Sequence, residues 1–394
     1  MAENFFEFCI PTKVLFGCGK LNELHRQTFP GKKAMLVISK GYSVKAYGAL
    51  DRTEMQLKKA SIDYVIFDKV GANPLKSVVE DGARFAKANS CDFVIALGGG
   101  SVMDAAKMMA MLAGQGSEDL WDYVAGFTGK KQPLTGDILP VVAITTTAGT
   151  GSEVDPWGVI TNPDTKEKIG CGGDVRLFPV LAVVDPELMW TVPPKLTAYQ
   201  GFDALFHATE GYISTNATYM SDMVGLSVME NVGQYLPTAV NNGIDLDART
   251  HMALANTLAG YSMVFSSTAS KHAMEHALSA YHPELPHGAG LIMLSVEYYK
   301  FFVEKHVCDE RFIRMAKALG AENASEPMDF VRRLEELLRE CNVAELKMSD
   351  YGITEEELPA MAANARAIRG GHFASDRYEM TDEECLGIYQ RSYR

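Results

Sequence analysis

Residues 92–114, DFVIALGGGSVMDAAKMMAMLAG, carry the fold in one line. An apolar run, Asp92–Leu97, ends on Gly98-Gly99-Gly100-Ser101, and a helical pattern takes over from about 102 to 114. A strand that breaks on glycines into a helix is the unit of a parallel sheet. The glycines let the backbone approach a ligand, and the following helix start offers free N–H groups and the positive end of a dipole to a phosphate. The spacing is not G-x-G-x-x-G, and no G-K-[ST] follows, so a Walker A loop is excluded. Similar strands are expected at Lys33–Ser39, Ile62–Val70, Pro140–Thr145 and Val180–Asp185, with helical segments near 44–60 and 75–89. That alternation predicts a doubly wound α/β domain whose ligands bind at the carboxyl ends of the strands. A second loop, Thr145-Thr146-Thr147-Ala148-Gly149-Thr150-Gly151-Ser152-Glu153, follows the 140–145 strand. It is rich in hydroxyls and small residues. By itself each loop also reads as a tight turn; two at strand ends in one sheet argue for a pyrophosphate site.

Past Asp185 the character changes. Long helical patterns at 219–235, 246–264, 290–303 and 326–341 predict an all-α C-terminal domain. Pro193-Pro194 stop one element and start the next, and the division is expected as 1–187 and 188–394. At 394 residues, two domains are the natural expectation.

In the helical half, GFDALFHATEGY (201–212) and KHAMEHALSAYHPELPHG (271–288) hold a candidate ligand set. Asp203 and His207 are four apart, as are His272 and His276, so each pair leaves one helix face; His287 follows on a Pro–His–Gly turn. One such pair is usually a surface pair; two pairs with a third imidazole are not. Asp203, His207, His272 and His287 give three imidazoles and a carboxylate without a thiolate, a set for Fe(II) or Zn(II). Such a metal is a Lewis acid with room for a substrate oxygen.

Composition excludes other classes. The net charge of −13 and the lack of Lys/Arg clusters argue against nucleic acid. No apolar run is long enough to span a bilayer. MAENFFEFCIPTKV has no basic region followed by an apolar core, so no signal peptide is expected and the cytoplasm is the expected compartment. Seven scattered cysteines without C-x-x-C fit reduced thiols.

Phe16-Gly17, Asn73-Pro74, ALGGGSVMDAAK (96–107), TTAGTGSEV (146–154), DPELMWTVPPKLTAYQGFDALFHATEGY (185–212) and the HAMEH…PHG segment (272–288) together resemble the iron-containing (group III) alcohol dehydrogenase family. The resemblance runs along nearly the whole chain. It implies a Rossmann-like N-terminal domain and a helical domain in a dehydroquinate synthase-like fold. It also implies hydride transfer between a nicotinamide and a small alcohol or aldehyde. By position, Asp203, His207, His272 and His287 would hold the metal. His276 would sit near the substrate and nicotinamide as a candidate proton relay. Gly99, Gly100, Ser101, Asp104, Thr146, Thr147, Thr150 and Lys168 would contact the cofactor, with Asn73 near its adenosine end. Two departures matter. Many NAD-preferring members carry an Asp at the end of the first strand; here Ser39 stands there, followed by Lys40. That favours NADP(H) over NAD(H), because a carboxylate would repel a 2′-phosphate. An apparent extra residue between His276 and His287 leaves His282 as an alternative fourth ligand. A homodimer is the expected assembly, with an exposed strand over 4–16 available for pairing between subunits. Competing readings are a glycerol dehydrogenase-like enzyme, a dehydroquinate synthase-like lyase, or a non-catalytic metal- and nucleotide-binding protein.

Overall fold

The computed structural model describes residues 6–394, the side chain of Arg369 excepted. The chain divides into two compact units. One spans Cys9–Thr191; the other spans Val192–Arg394 together with the described residues up to Phe8. The division falls slightly beyond the expected 187/188, because Arg52 holds Asp185 and Glu187 in ion pairs at 3.2 Å within the first unit.

The first unit holds a six-stranded, all-parallel sheet. Its strands are β1 (Lys13–Phe16), β2 (Lys33–Ser39), β3 (Asp63–Val70), β4 (Phe93–Gly98), β5 (Val141–Thr145) and β8 (Leu181–Val184). β6 (Trp157–Asn162) and β7 (Glu167–Gly172) stand apart as an antiparallel hairpin. The sheet order is β1-β8-β5-β4-β2-β3. β2 and β4 are dry throughout their centres: Ala34–Ile38 and Phe93–Leu97 are fully buried. That is why they read as unbroken apolar runs rather than alternating ones. Helices α1 (Ser43–Ala46), α2 (Ala49–Lys59), α3 (Lys76–Ala88) and α4 (Gly100–Ala113) make the crossovers. The chain runs outward from β2 to β3, then returns to β4 on the other side of β2 and continues to β5 and β8. The order therefore reverses between β2 and β4, so the carboxyl ends of these strands, Ser39 and Gly98, flank the crevice where such sheets bind ligands.

Two expectations change. Among the described residues the strand expected over 4–16 is confined to Lys13–Phe16, where it forms an edge of its own sheet, in parallel register with Leu181–Val184 of β8. Residues 4 and 5 lie outside the described residues. The β6–β7 hairpin was not expected. It lies against α4 so closely that a Cβ on Gly158 would come within 2.7 Å of the Asp104 carbonyl oxygen. Its Thr161 N–H donates to the Pro74 carbonyl at 2.9 Å, which brings the Asn73–Pro74 turn to the hairpin.

The second unit is helical: α5 (Pro194–Ile213), α6 (Tyr219–Asn241), α7 (Leu246–Ser266), α8 (Ser270–Tyr281), α9 (His287–Glu304), α10 (Asp309–Ala318), α11 (Met328–Glu340), α12 (Leu358–Ala374) and α13 (Asp382–Ser392). α5 is its axis. It is buried without interruption from Gly201 to Ile213 and packs against α6, α7 and α9, while α8 packs between α9 and α12. A helix buried on every side has no solvent face for its polar residues. Asp203, His207 and Glu210 therefore have to be matched inside the protein.

Candidate functional site

α5 presents Asp203 and His207 on one face, α8 presents His272 and His276, and α9 begins at His287 directly after Pro286. Proline at the residue before a helix fixes the entry of the chain and removes an N–H the helix would leave unpaired. These starts bring the side chains together. Asp203 Oδ1 lies 3.5 Å from His207 Nδ1, 3.6 Å from His272 Nε2 and 3.5 Å from His287 Nε2. All but His287 are buried. Asp203 Oδ1, His207 Nδ1 and His272 Nε2 are buried polar atoms without a hydrogen-bond partner. Ligand bonds of about 2.1 Å in a tetrahedral shell put ligand atoms about 3.4 Å apart. The three separations from Asp203 Oδ1 have that size, and Asp203, His207 and His272 offer ligand atoms that all lie within 4.8 Å of one another, as a shared divalent ion requires; His287 groups in the same way with Glu275 and His276. His276 stands beside them, its ring centroid 5.4 Å from that of His287 and 6.4 Å from that of His272. His282 is elsewhere: its Nε2 lies 3.1 Å from Glu357 Oε2, at the end of α8.

Electrostatics at the site follow from burial. Burial pushes the His207 imidazole down to about 4, with the Asp203 charge acting against it, which keeps the ring neutral and its lone pairs available. Burial also works to raise the Asp203 carboxyl, but His207, His287 and His272 outweigh it and hold it below the usual carboxylate range. Two carboxylates behind the histidines were not singled out from the sequence. Glu210 Oε1 lies 2.7 Å from His272 Nδ1, and Glu275 Oε2 pairs with His287 Nδ1. Each turns the Nε2 of its ring toward Asp203 and selects that tautomer. The signal for Glu210 was its spacing, seven residues beyond Asp203 on the same helix face. Lys271, fully buried, is the third such residue, with Nζ 3.5 Å from Glu210 Oε1.

In the α/β unit the two expected loops interlock. A Cβ on Gly99 would meet Thr147 Cγ2 at 2.6 Å, and one on Gly100 would meet Thr150 Cγ2 at 2.4 Å. Thr146 N–H donates to the Gly98 carbonyl at 3.0 Å. Glycine at 99 and 100 thus lets the second loop lie against the start of α4, where the first N–H groups are exposed. Ser101, Thr146, Thr147 and Thr150 are half-buried around this point. Asp104 is turned inward: it accepts from Ser152 Oγ at 2.6 Å and from Val159 N–H at 2.9 Å, which ties α4 to the second loop and to the hairpin. Burial raises its carboxyl to about 6. Lys107 is buried and holds the same loop through the Ser152 carbonyl at 2.9 Å and Asp155 Oδ1 at 2.9 Å. Lys168 lies buried on β7, and Asn73 is buried with a left-handed backbone, φ 49°. Ser39 ends β2; Lys40 extends over Gly71, whose Cβ would lie 3.3 Å from Lys40 Cε.

Residues 11–186 match the iron-containing alcohol dehydrogenase family, and residues 197–393 match the C-terminal region of the Fe-containing alcohol dehydrogenase family. The chain belongs to the iron-containing alcohol dehydrogenase family, oxidoreductases that act on alcohols. It is 33% identical over 386 residues to alcohol dehydrogenase 4 of Schizosaccharomyces pombe, covering 97% of this chain and 88% of that one. It is 32% identical over 403 residues to 1,3-propanediol dehydrogenase of Citrobacter freundii, covering 100% of both. Among solved structures, an archaeal halo-thermophilic alcohol dehydrogenase from a Red Sea brine pool superposes with a TM-score of 0.93 at 34% identity over 100% of both chains. No helix among the described residues is long and apolar enough to cross a membrane.

Proposed function

We propose that this alcohol dehydrogenase binds Fe(II), or Zn(II) in its place, through Asp203, His207, His272 and His287, and that it interconverts small alcohols or diols and their aldehydes with NADP(H) preferred. The observation that carries the reading is the single carboxylate oxygen, Asp203 Oδ1, with three imidazole nitrogens at 3.5–3.6 Å. When bound, the ion supplies Lewis acidity at the reacting oxygen, and the nicotinamide supplies the hydride acceptor. This chain's residues do the rest. His207 offers a neutral imidazole, and His272 offers the Nε2 that Glu210 leaves facing Asp203, both from buried positions. His276, one turn beyond His272, takes the hydroxyl proton in oxidation and returns it in reduction. Gly99, Gly100, Ser101, Thr146, Thr147 and Thr150 form the pyrophosphate bed, and Asp104 fixes the second loop to it from beneath. Lys168 on β7 and Asn73, beside the hairpin through Pro74, are the further cofactor contacts of this reading. The match to a propanediol dehydrogenase over the full length of both chains supports a short diol or alcohol as substrate.

Ser39 supports the cofactor preference. It ends the strand at the reversal of sheet order, and with Lys40 next to it in sequence there is no carboxylate at this position to repel a 2′-phosphate. A homodimer in the cytoplasm belongs to the same reading; all seven cysteines are free.

The test strips the protein with a chelator, restores Fe(II) anaerobically, and follows NADPH oxidation with short aldehydes. Activity that returns only with metal supports the ligand set and the hydride transfer together. Folded, metal-loaded protein without turnover overturns the reaction, and a clear preference for NADH overturns the role given to Ser39.

A further inference from the structure

Glu210 is a fully buried carboxylate that contacts no substrate, yet each oxygen has a defined task. Oε2 accepts from Ala269 N–H at 3.0 Å and from His272 N–H at 3.2 Å. Ala269 is the residue on which α8 starts, and its side chain cannot cap a helix. Glu210, reaching across from α5, supplies the missing cap and puts a negative charge at the positive end of α8. Oε1 meets His272 Nδ1 at 2.7 Å. With that nitrogen donating, Nε2 carries the lone pair, and Nε2 is the atom 3.6 Å from Asp203 Oδ1.

The charge is matched locally. Lys271 Nζ lies 3.5 Å from Glu210 Oε1 and donates to Tyr299 Oη at 3.0 Å. It sits 3.1 Å from the Phe206 ring centroid and 4.6 Å from that of Tyr299. Tyr299 Oη in turn lies 2.5 Å from Thr209 Oγ1, the neighbour of Glu210 in sequence. A cation over aromatic faces and against a carboxylate can be dry without being unmatched.

We propose that Glu210 is a positioning residue of the metal centre, which sets His272 twice, through the start of its helix and through the rotation and tautomer of its ring, with Lys271 as its buried counter-ion. α5 then carries a stripe of three residues, Asp203, His207 and Glu210, of which the first two face the ion and the third holds a ligand presented by α8. The proposal rests on the ligand set given above.

Glu210→Gln keeps the shape but cannot satisfy all three donors. If the amide NH2 faces the ring, Nδ1 must accept and the proton moves to Nε2, the side that faces the metal. If it faces the helix start, two backbone N–H groups lose their acceptor. The measurement is the affinity for Zn(II), from competition with a chromogenic chelator, together with melting temperatures of the metal-free and Zn(II)-loaded forms. The expected result is a loss of about 10–100-fold in affinity, the usual effect of removing a partner behind a metal-bound histidine. The rise in melting temperature on adding metal shrinks with it. An affinity within about twofold of wild type overturns the proposal, as does equal destabilisation of both forms, which is what a merely structural residue gives. Should Glu210→Gln fail to fold, nitrogen-15 spectra of the Zn(II)-loaded wild type decide: His272 protonated at Nδ1 supports the proposal, and protonation at Nε2 overturns it. His272→Ala, which should lose Zn(II) altogether, assigns that resonance. Wild-type protein that takes up no Zn(II) overturns the ligand set itself, and this proposal falls with it; that failure is distinct from one seen only in the variant.

Discussion

The two units offer the proposed chemistry different materials. In the α/β unit the proposed cofactor bed is backbone: glycines 98–100, the first turn of α4, and hydroxyl side chains laid over them. The sheet beneath is apolar and dry. In the helical unit the proposed metal site is made of ionisable side chains sunk into the core, where Asp203, His207, Glu210, Lys271, His272 and Glu275 are all buried. A backbone site is disturbed by added bulk. A side-chain site is disturbed by a change of charge or of proton position, even when the shape is kept.

The largest break in this comparison is expected at Asp203. Asp203→Ala removes the oxygen the three imidazoles share, and metal affinity should fall by more than the ~100-fold that outer partners cost. Metal content after gel filtration and kcat/KM on a short alcohol check this. Next comes a pH effect in the same unit. Burial pushes the Asp376 carboxyl up to about 7 from an ordinary 3.8, with Ser270 and Tyr298 as its hydrogen-bond partners. The fold prefers the neutral acid, so the stability this group allows is complete below pH 4 and is lost as pH rises through 7. Asp376→Asn should match wild type at pH 4 and exceed it at pH 8 by roughly 2–4 kcal/mol, an upper bound, in urea unfolding of the metal-free protein.

The backbone site should answer to bulk instead. Gly100→Ala drives a methyl into Thr150 and should cost about 1–3 kcal/mol in urea unfolding, with KM for the cofactor raised. Combining it with Thr150→Ala should recover part of that loss, since the two side chains share one space. The smallest effect is expected at Ser39. Ser39→Asp should move the ratio of kcat/KM for NADPH over NADH toward NADH by about tenfold, on the order of 1.4 kcal/mol. If the ratio stays put, charge at the strand end does not set the preference.

The sheet was legible because β2, β4 and β5 are apolar through their centres, as strands of a parallel sheet covered on both faces must be. The β6–β7 hairpin was not. Gly158, Gly170 and Gly172 interrupt its alternation, and Glu167 and Lys168 look like a solvent face though both are buried. Glu167 is satisfied from outside the hairpin, by Trp121 Nε1 at 3.1 Å and Thr128 N–H at 2.9 Å, partners about forty residues away that no local pattern reveals. At the metal centre the i,i+4 pairs put Asp203, His207 and His272 in view. Glu210 and Glu275 stayed hidden because a glutamate in a helix ordinarily faces water. It takes the burial of α5 and α8 on all sides to turn them inward.

Gly288 settles a matter of chain length. A Cβ there would come within 2.3 Å of the Tyr199 carbonyl oxygen, so α9 rests on α5 with nothing between them at its first turn. His287, the residue before, is thus seated by a helix-to-helix joint rather than by the connector His282–Leu285 that leads to it. An inserted residue in that connector need only bulge outward. The connector can change length while the third imidazole keeps its station, which makes this turn a natural place for an engineer to graft a new loop.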